Sequence, residues 1–107
     1  MSYNLIITLA FERDTKLLYK KYKSLKSDLA TLFESLENKP IQGKSLGKGC
    51  YKIRMAITSK AKGKSGGARV ITFVKVADEN IFLLSVYDKS EKENLSDKEL
   101  NELLGHT

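Results

Sequence analysis

Tyr51, Ile53, Met55 and Ile57 alternate with Lys52 and Arg54 in the stretch CYKIRMAIT, Cys50 to Thr58, and this period of two constrains the possible folds more than any other feature. Successive side chains of a β-strand point to opposite faces, so the segment reads as a strand with one apolar and one basic face. Two further strand-like runs follow, RVITFVKV (Arg69 to Val76) and IFLLSVY (Ile81 to Tyr87), both rich in β-branched and apolar residues. The four residues ADEN between them form a short polar connection of the kind that joins antiparallel strands. A sheet with an apolar face must bury it against another layer.

The first half of the chain supplies that layer. NLIITL, Asn4 to Leu9, is short, β-branched and bounded by polar residues, and predicts a first strand. Leu17, Leu18, Tyr22 and Leu25, then Leu29, Leu32, Phe33 and Leu36, recur at helical spacing and predict two amphipathic helices. Ser24 or Ser27 is placed to cap the second helix, and Pro40 ends it because the residue before a proline avoids the α region. Near the C-terminus, LSDKELNELL carries the capping-box pair Ser96 and Glu99 ahead of Leu100, Leu103 and Leu104, which predicts a last helix. The expected architecture is a single α+β domain over residues 1–107, with two N-terminal helices packed on an antiparallel sheet of about four strands, plus a C-terminal helix.

A chain of 107 residues can bury one core but not two, and its 41% apolar and 30% charged residues are ordinary for a globular domain. No run approaches the roughly 18 apolar residues of a membrane span, and the opening MSYNLIITLAFERD lacks the charged region and cleavage site of a signal peptide. A single cysteine, Cys50, suits a reducing compartment, so the cytoplasm is the expected location, with no membrane partner.

Charge is distributed unevenly along this chain. Between Asn38 and Ala77 there are ten basic residues and no Asp or Glu, whereas the remainder carries nine bases against thirteen acids. Such a concentrated positive segment attracts phosphate backbones or an acidic protein. At its centre SKAKGKSGGAR, Ser59 to Arg69, combines Lys60, Lys62 and Lys64 with Gly63, Gly66 and Gly67. Glycines let a backbone approach a ligand and turn its N–H groups toward an anion. If this loop folds over the strand face bearing Lys52 and Arg54, beside Arg69, six or seven cations converge on one surface. The bland alternative is a solvated loop whose lysines serve solubility alone.

Several kinds of chemistry lack their residues. The only histidine, His106, is penultimate, and no cysteine or histidine cluster exists to hold zinc, haem or an iron–sulfur centre, so neither metal nor cofactor is expected. GKS occurs at Gly43 and Gly63, but Asn38 and Thr58 stand where a phosphate-binding loop of nucleotide hydrolases needs its first glycine. Tyr87 closes an apolar strand, so its ring is expected inside and its hydroxyl at the sheet end. Close to several cations, a phenol or an amine would have its pKa lowered and could act as a base.

YKIRMAITSKAKGKSGGARVITFVKV followed by IFLLSVYDKSEKENLSDKELNELL resembles the RelE/ParE superfamily of bacterial type II toxins, nearest to the HigB-type branch. The likeness is close over residues 41–104, and the strand-helix-helix start agrees with the family layout. The resemblance implies a RelE-like fold and a ribosome-dependent endoribonuclease, an mRNA interferase that enters the A site and cuts mRNA without a metal. It implies a cognate antitoxin as partner, and a toxin–antitoxin complex held on operator DNA through that antitoxin. It implies catalytic roles for four residues: Arg69 as clamp on the scissile phosphate, Lys62 and Lys64 as backbone contacts or proton donors, and Tyr87 as stacking platform or base. Arg54, Lys52, Lys60 and Lys89 would contact RNA. ParE-type members of the superfamily poison DNA gyrase, which leaves a gyrase-binding toxin as the alternative, and a nucleic-acid-binding module without catalysis as another.

Overall fold

A computed structural model describes residues 2–60, 63–64 and 66–107. The elements run β1 (Asn4–Ile7), α1 (Leu9–Lys21), α2 (Leu25–Asn38), β2 (Lys44–Gly47), β3 (Cys50–Met55), β4 (Ala68–Lys75), β5 (Asn80–Asp88) and α3 (Asp97–Leu104). The strands form one sheet in the order β1-β5-β4-β3-β2, with β4 and β5 joined by the expected hairpin. Single 3-10 turns at Thr58–Lys60 and Val76–Asp78 lead out of β3 and connect β4 to β5.

The α+β expectation holds, and the sheet departs from it in two respects. It has five strands and is mixed, since β1 pairs with β5 in parallel while all other pairs are antiparallel. The chain leaves β1, crosses through α1 and α2, and β1 ends as an outer strand beside β5; a pattern of apolar residues does not distinguish the direction of its neighbour. The additional strand, β2, has one half-buried apolar residue, Leu46. It exists because Gly47, Lys48 and Gly49 all adopt positive φ (83°, 56° and 79°), folding β2 back onto β3.

Period-two alternation then assigns the two faces. Ile53, Met55, Val70, Val74, Ile81, Leu83 and Val86 pack beneath Phe11 and Leu18 of α1 and Leu25, Leu29 and Leu36 of α2, forming the larger core. On the opposite face Cys50, Ile71, Leu84 and Tyr87 pack against Leu100 of α3. A register shift at the Ile71/Thr72 step, opposite Leu83 to Ser85, is a β-bulge that reverses the alternation along β5, so that Ile81 and Leu83 before it and Val86 after it all face the larger core.

The helices show where apolar spacing misleads. Leu17 was expected in the α1 stripe, yet it is 65% exposed, because α1 starts at Leu9, capped by Thr8, and carries Phe11 and Leu18 inward instead. α2 begins after Ser24, whose hydroxyl makes no backbone cap and instead reaches the side chains of Asp28 and Ser59. α3 carries the complete capping box between Ser96 and Glu99.

Candidate nucleic-acid interface

Arg54 on β3 lies directly opposite Arg69 on β4, which lies opposite Tyr87 on β5. Cross-strand partners share a face, so this row and Lys52, two residues from Arg54, point to the side not covered by α1 and α2. Here a hollow of about 610 Å³ opens, lined by Lys44, Lys52, Arg54, Lys64, Arg69 and Lys89, with Glu93 as its single carboxylate. Gln42, Gly43 and Asn94 complete much of the rim. Six cations from β2, β3, the 59–67 loop, β4 and the β5 exit therefore meet over one cavity.

Two close backbone approaches build its walls. Gly43 has φ of 86°, and a Cβ there would lie 2.2 Å from the Lys52 carbonyl oxygen. At Gly67 a Cβ would lie 2.2 Å from the Met55 carbonyl oxygen, so only glycine lets the chain enter β4 this close to the end of β3. The Lys89 N–H donates to the Gly67 carbonyl at 3.1 Å, which draws the β5 exit against the end of the same loop.

Arg69 forms the floor. It is 3% exposed, and its Nη1 donates to the Lys64 carbonyl at 2.9 Å and the Ala68 carbonyl at 3.1 Å. The guanidinium thus anchors the loop and also places a permanent charge beneath the hollow. Arg54, Lys64 and Lys89 are exposed above it, and Lys52 is half-buried with its Nζ donating to Asn94 Oδ1 at 3.0 Å.

Tyr87 differs from the expectation. Its hydroxyl does not emerge at the sheet end: it is inaccessible to solvent and has no hydrogen-bond partner among the described residues. α3 and the residues leading to it cover the ring, with Lys92 Nζ 5.8 Å from its centroid. Burial pushes the phenol pKa up, the Arg69 charge opposes this and Glu99 adds to it, so the net shift is opposite to the lowering expected beside cations. In this arrangement Tyr87 is a wall of the second core, with its hydroxyl turned away from solvent.

Lys60 is also placed elsewhere. Its Nζ pairs with Asp88 Oδ1 at 2.8 Å, reaches Ser90 Oγ at 3.3 Å and lies 5.5 Å from the Tyr22 ring centroid, and it does not line the hollow. The reason is Asp88, which is 1% exposed and also accepts from the Tyr22 hydroxyl at 2.6 Å and the Ser90 N–H at 2.9 Å. A buried carboxylate needs such partners. Burial alone would raise its pKa, but Lys60, Tyr22 and Ser90 hold it well below the usual carboxylate range. Lys62, the remaining expected contact, lies outside the described residues.

Sequence reasoning missed Lys44, Gln42, Glu93 and Asn94 in the hollow. Lys44 carried a signal, since it belongs to the acid-free segment, whereas Glu93 and Asn94 lie in a polar stretch whose path no periodicity defines. A second cleft of about 670 Å³, between the start of α1 and α3, is lined by Asp14, Glu99 and Glu102 as well as Arg13, Lys92 and His106. That mixture of signs does not suit a chain of phosphates. Among the described residues no group of three or more His, Cys, Asp or Glu is arranged to hold a metal ion, and no helix is long and apolar enough to cross a membrane.

A small α+β domain with a cationic hollow on its sheet is the class defined by this fold and site. The chain belongs to the RelE toxin family: the family model described as RelE toxin of the RelE/RelB toxin–antitoxin system matches residues 10–105. Among solved structures, a doubly arginine-substituted form of the E. coli toxin RelE in the free state matches with a TM-score of 0.60 and 21% identity, over 99% of this chain and 94% of that one. The RelBE2 toxin–antitoxin complex of Mycobacterium tuberculosis matches with a TM-score of 0.63 and 20% identity, over 82% of this chain and 92% of that one. The intact E. coli RelBE toxin–antitoxin complex gives 0.62 and 19%, over 81% and 96%. At these identities the structural likenesses establish the shared fold, while the family model carries the membership. Placement in the HigB-type branch rests on the sequence resemblance alone.

Proposed function

We propose that this RelE-family toxin is an endoribonuclease that acts in the cytoplasm on mRNA in the ribosomal A site and is neutralised by a cognate antitoxin. The observation that carries the reading is the hollow itself, in which six cations and a single carboxylate line one cavity of a RelE-family fold. A ribonuclease of this kind needs a base to deprotonate the ribose 2′-hydroxyl, cations to hold the doubly charged phosphorane, and an acid for the departing 5′-oxygen. Arg54, Lys64 and Arg69 supply the charge, Lys64 is also the proton donor, and Lys52, Lys44 and Lys89 hold the flanking phosphates. The reading invokes no cofactor.

An antitoxin segment with acidic side chains would meet a complementary field over the hollow, and such complementarity speeds and orients association. Operator DNA would then be reached through the antitoxin, with the toxin bound to it.

The test is to map mRNA ends after brief expression of the toxin without antitoxin, with translating ribosomes present and absent. The expected result is new 5′-hydroxyl ends within translated codons, only where ribosomes translate. Intact mRNA with a DNA-damage response would instead support a gyrase-binding toxin, and intact mRNA with unaffected growth a binding module without catalysis.

A further inference from the structure

We propose that Glu93 is the general base of this site, taking the proton from the attacking ribose 2′-hydroxyl. The inference rests on the reading of the hollow as a ribonuclease site and names the group that this reading lacks. Cleavage by a 2′-hydroxyl requires a side chain that is unprotonated at neutral pH and open to the substrate. The six cations of the hollow offer N–H donors, and an ammonium or guanidinium has no acceptor for the proton.

Every other candidate near the row is removed by its own surroundings. The Tyr87 hydroxyl is sealed beneath α3. Asp88 is buried, and its oxygens are committed to Lys60, Tyr22 and Ser90. His106 lines the other cleft. Glu93 alone is a carboxylate on the hollow wall, it is exposed, and among the described residues it has no ion-pair or hydrogen-bond partner.

Its position is nevertheless held. The residue before it, Lys92, pairs with Glu99 of the α3 capping box. The residue after it, Asn94, accepts from Lys52 of β3. Both neighbours of Glu93 are thus tied to regular elements, leaving the carboxylate presented to the hollow with its lone pairs available. The charged groups facing it are Lys44 of β2, Lys52 and Arg54 of β3, Lys64 of the loop, Arg69 of β4 and Lys89 of the β5 exit.

Glu93 accepts the 2′-hydroxyl proton as the 2′-oxygen bonds to phosphorus, and the bond from phosphorus to the 5′-oxygen breaks. Lys64 gives its proton to that oxygen, and the products are a 2′,3′-cyclic phosphate and a 5′-hydroxyl. Water then returns the proton from Glu93 to Lys64.

Single-turnover cleavage on ribosomes programmed with one mRNA tests the assignment, with binding measured separately on the same complex carrying a 2′-O-methyl ribose at the cut site. Glu93→Gln and Glu93→Ala are expected to cut on the order of 100-fold more slowly, with binding and thermal midpoint unchanged. Added formate, a free carboxylate able to enter the vacated space, is expected to restore cleavage by Glu93→Ala but not by Glu93→Gln. Cleavage by Glu93→Gln within threefold of the unsubstituted protein, a loss matched by lost binding, or an altered cut site at an undiminished rate would each overturn the proposal. Failure of the unsubstituted protein to cut would overturn the ribonuclease reading as well, so the two failures are distinguishable.

Discussion

Combining Arg69→Ala with Lys64→Ala is expected to lower cleavage of ribosome-bound mRNA by about 1,000-fold or more and to abolish toxicity in cells. Removing one donor aimed at a developing oxyanion typically costs about 100- to 1,000-fold in rate, and here two charges leave the same hollow. The two positions contribute differently. Arg69 lies on the floor and holds the Lys64 carbonyl, so its loss also releases the basic loop. Lys64 is exposed on that loop, and Lys64→Ala alone removes charge and the proton donor without disturbing packing. Arg69→Lys keeps the charge and loses the fork-shaped donor geometry, so it is expected to fall between the unsubstituted protein and Arg69→Ala. Primer-extension yield per ribosome reads the four variants against the unsubstituted protein. Full toxicity of the double variant, present at equal abundance, would remove the chemistry from this hollow.

Asp88→Asn is expected to cost about 3 kcal/mol of folding free energy, since it leaves the nearly buried Lys60 ammonium without its counter-charge. For a domain of this size that lowers the thermal midpoint by on the order of 15 °C. The effect depends on pH with a definite sign. The folded-state pKa of Asp88 lies below its unfolded value, so its contribution is complete above about pH 5 and is lost as pH falls toward the folded-state value. Urea unfolding of both proteins between pH 7 and pH 3 checks this: their stability difference should be constant near neutrality and shrink in acid. A difference that does not vary with pH would show that the lost term is packing and not charge.

Much of this fold is written in local pattern. The period of two in β3, the short polar link between β4 and β5 and the Ser96–Glu99 capping box each decide an element from neighbours along the chain. The parts that were not legible depend on contacts between distant segments. The parallel partner of β1 is chosen by the path of α1 and α2, and β2 by three consecutive residues with positive φ whose apolar content is almost nil. For the site, the basic character of the 38–77 segment and the shared row of Arg54 and Arg69 follow from composition and alternation. The environment of Tyr87 does not, because α3 lies back over it, and a lysine such as Lys60 cannot be told from its loop neighbours until Asp88 is found beside it. Glu93 enters the hollow only through the two anchored residues at its sides.

The central claim is that RNA occupies the six-cation hollow, and photo-crosslinking tests it most directly. An mRNA with a photoreactive thiouridine and a 2′-O-methyl ribose in the A-site codon is irradiated on the ribosome with the protein bound. Crosslinked peptides are then sequenced by mass spectrometry. The prediction is attachment within the peptides that carry Lys52 and Arg54 and those that carry Lys89 to Asn94. Crosslinks confined to the exposed lysines of α1 and α2, with none around the hollow, would contradict it.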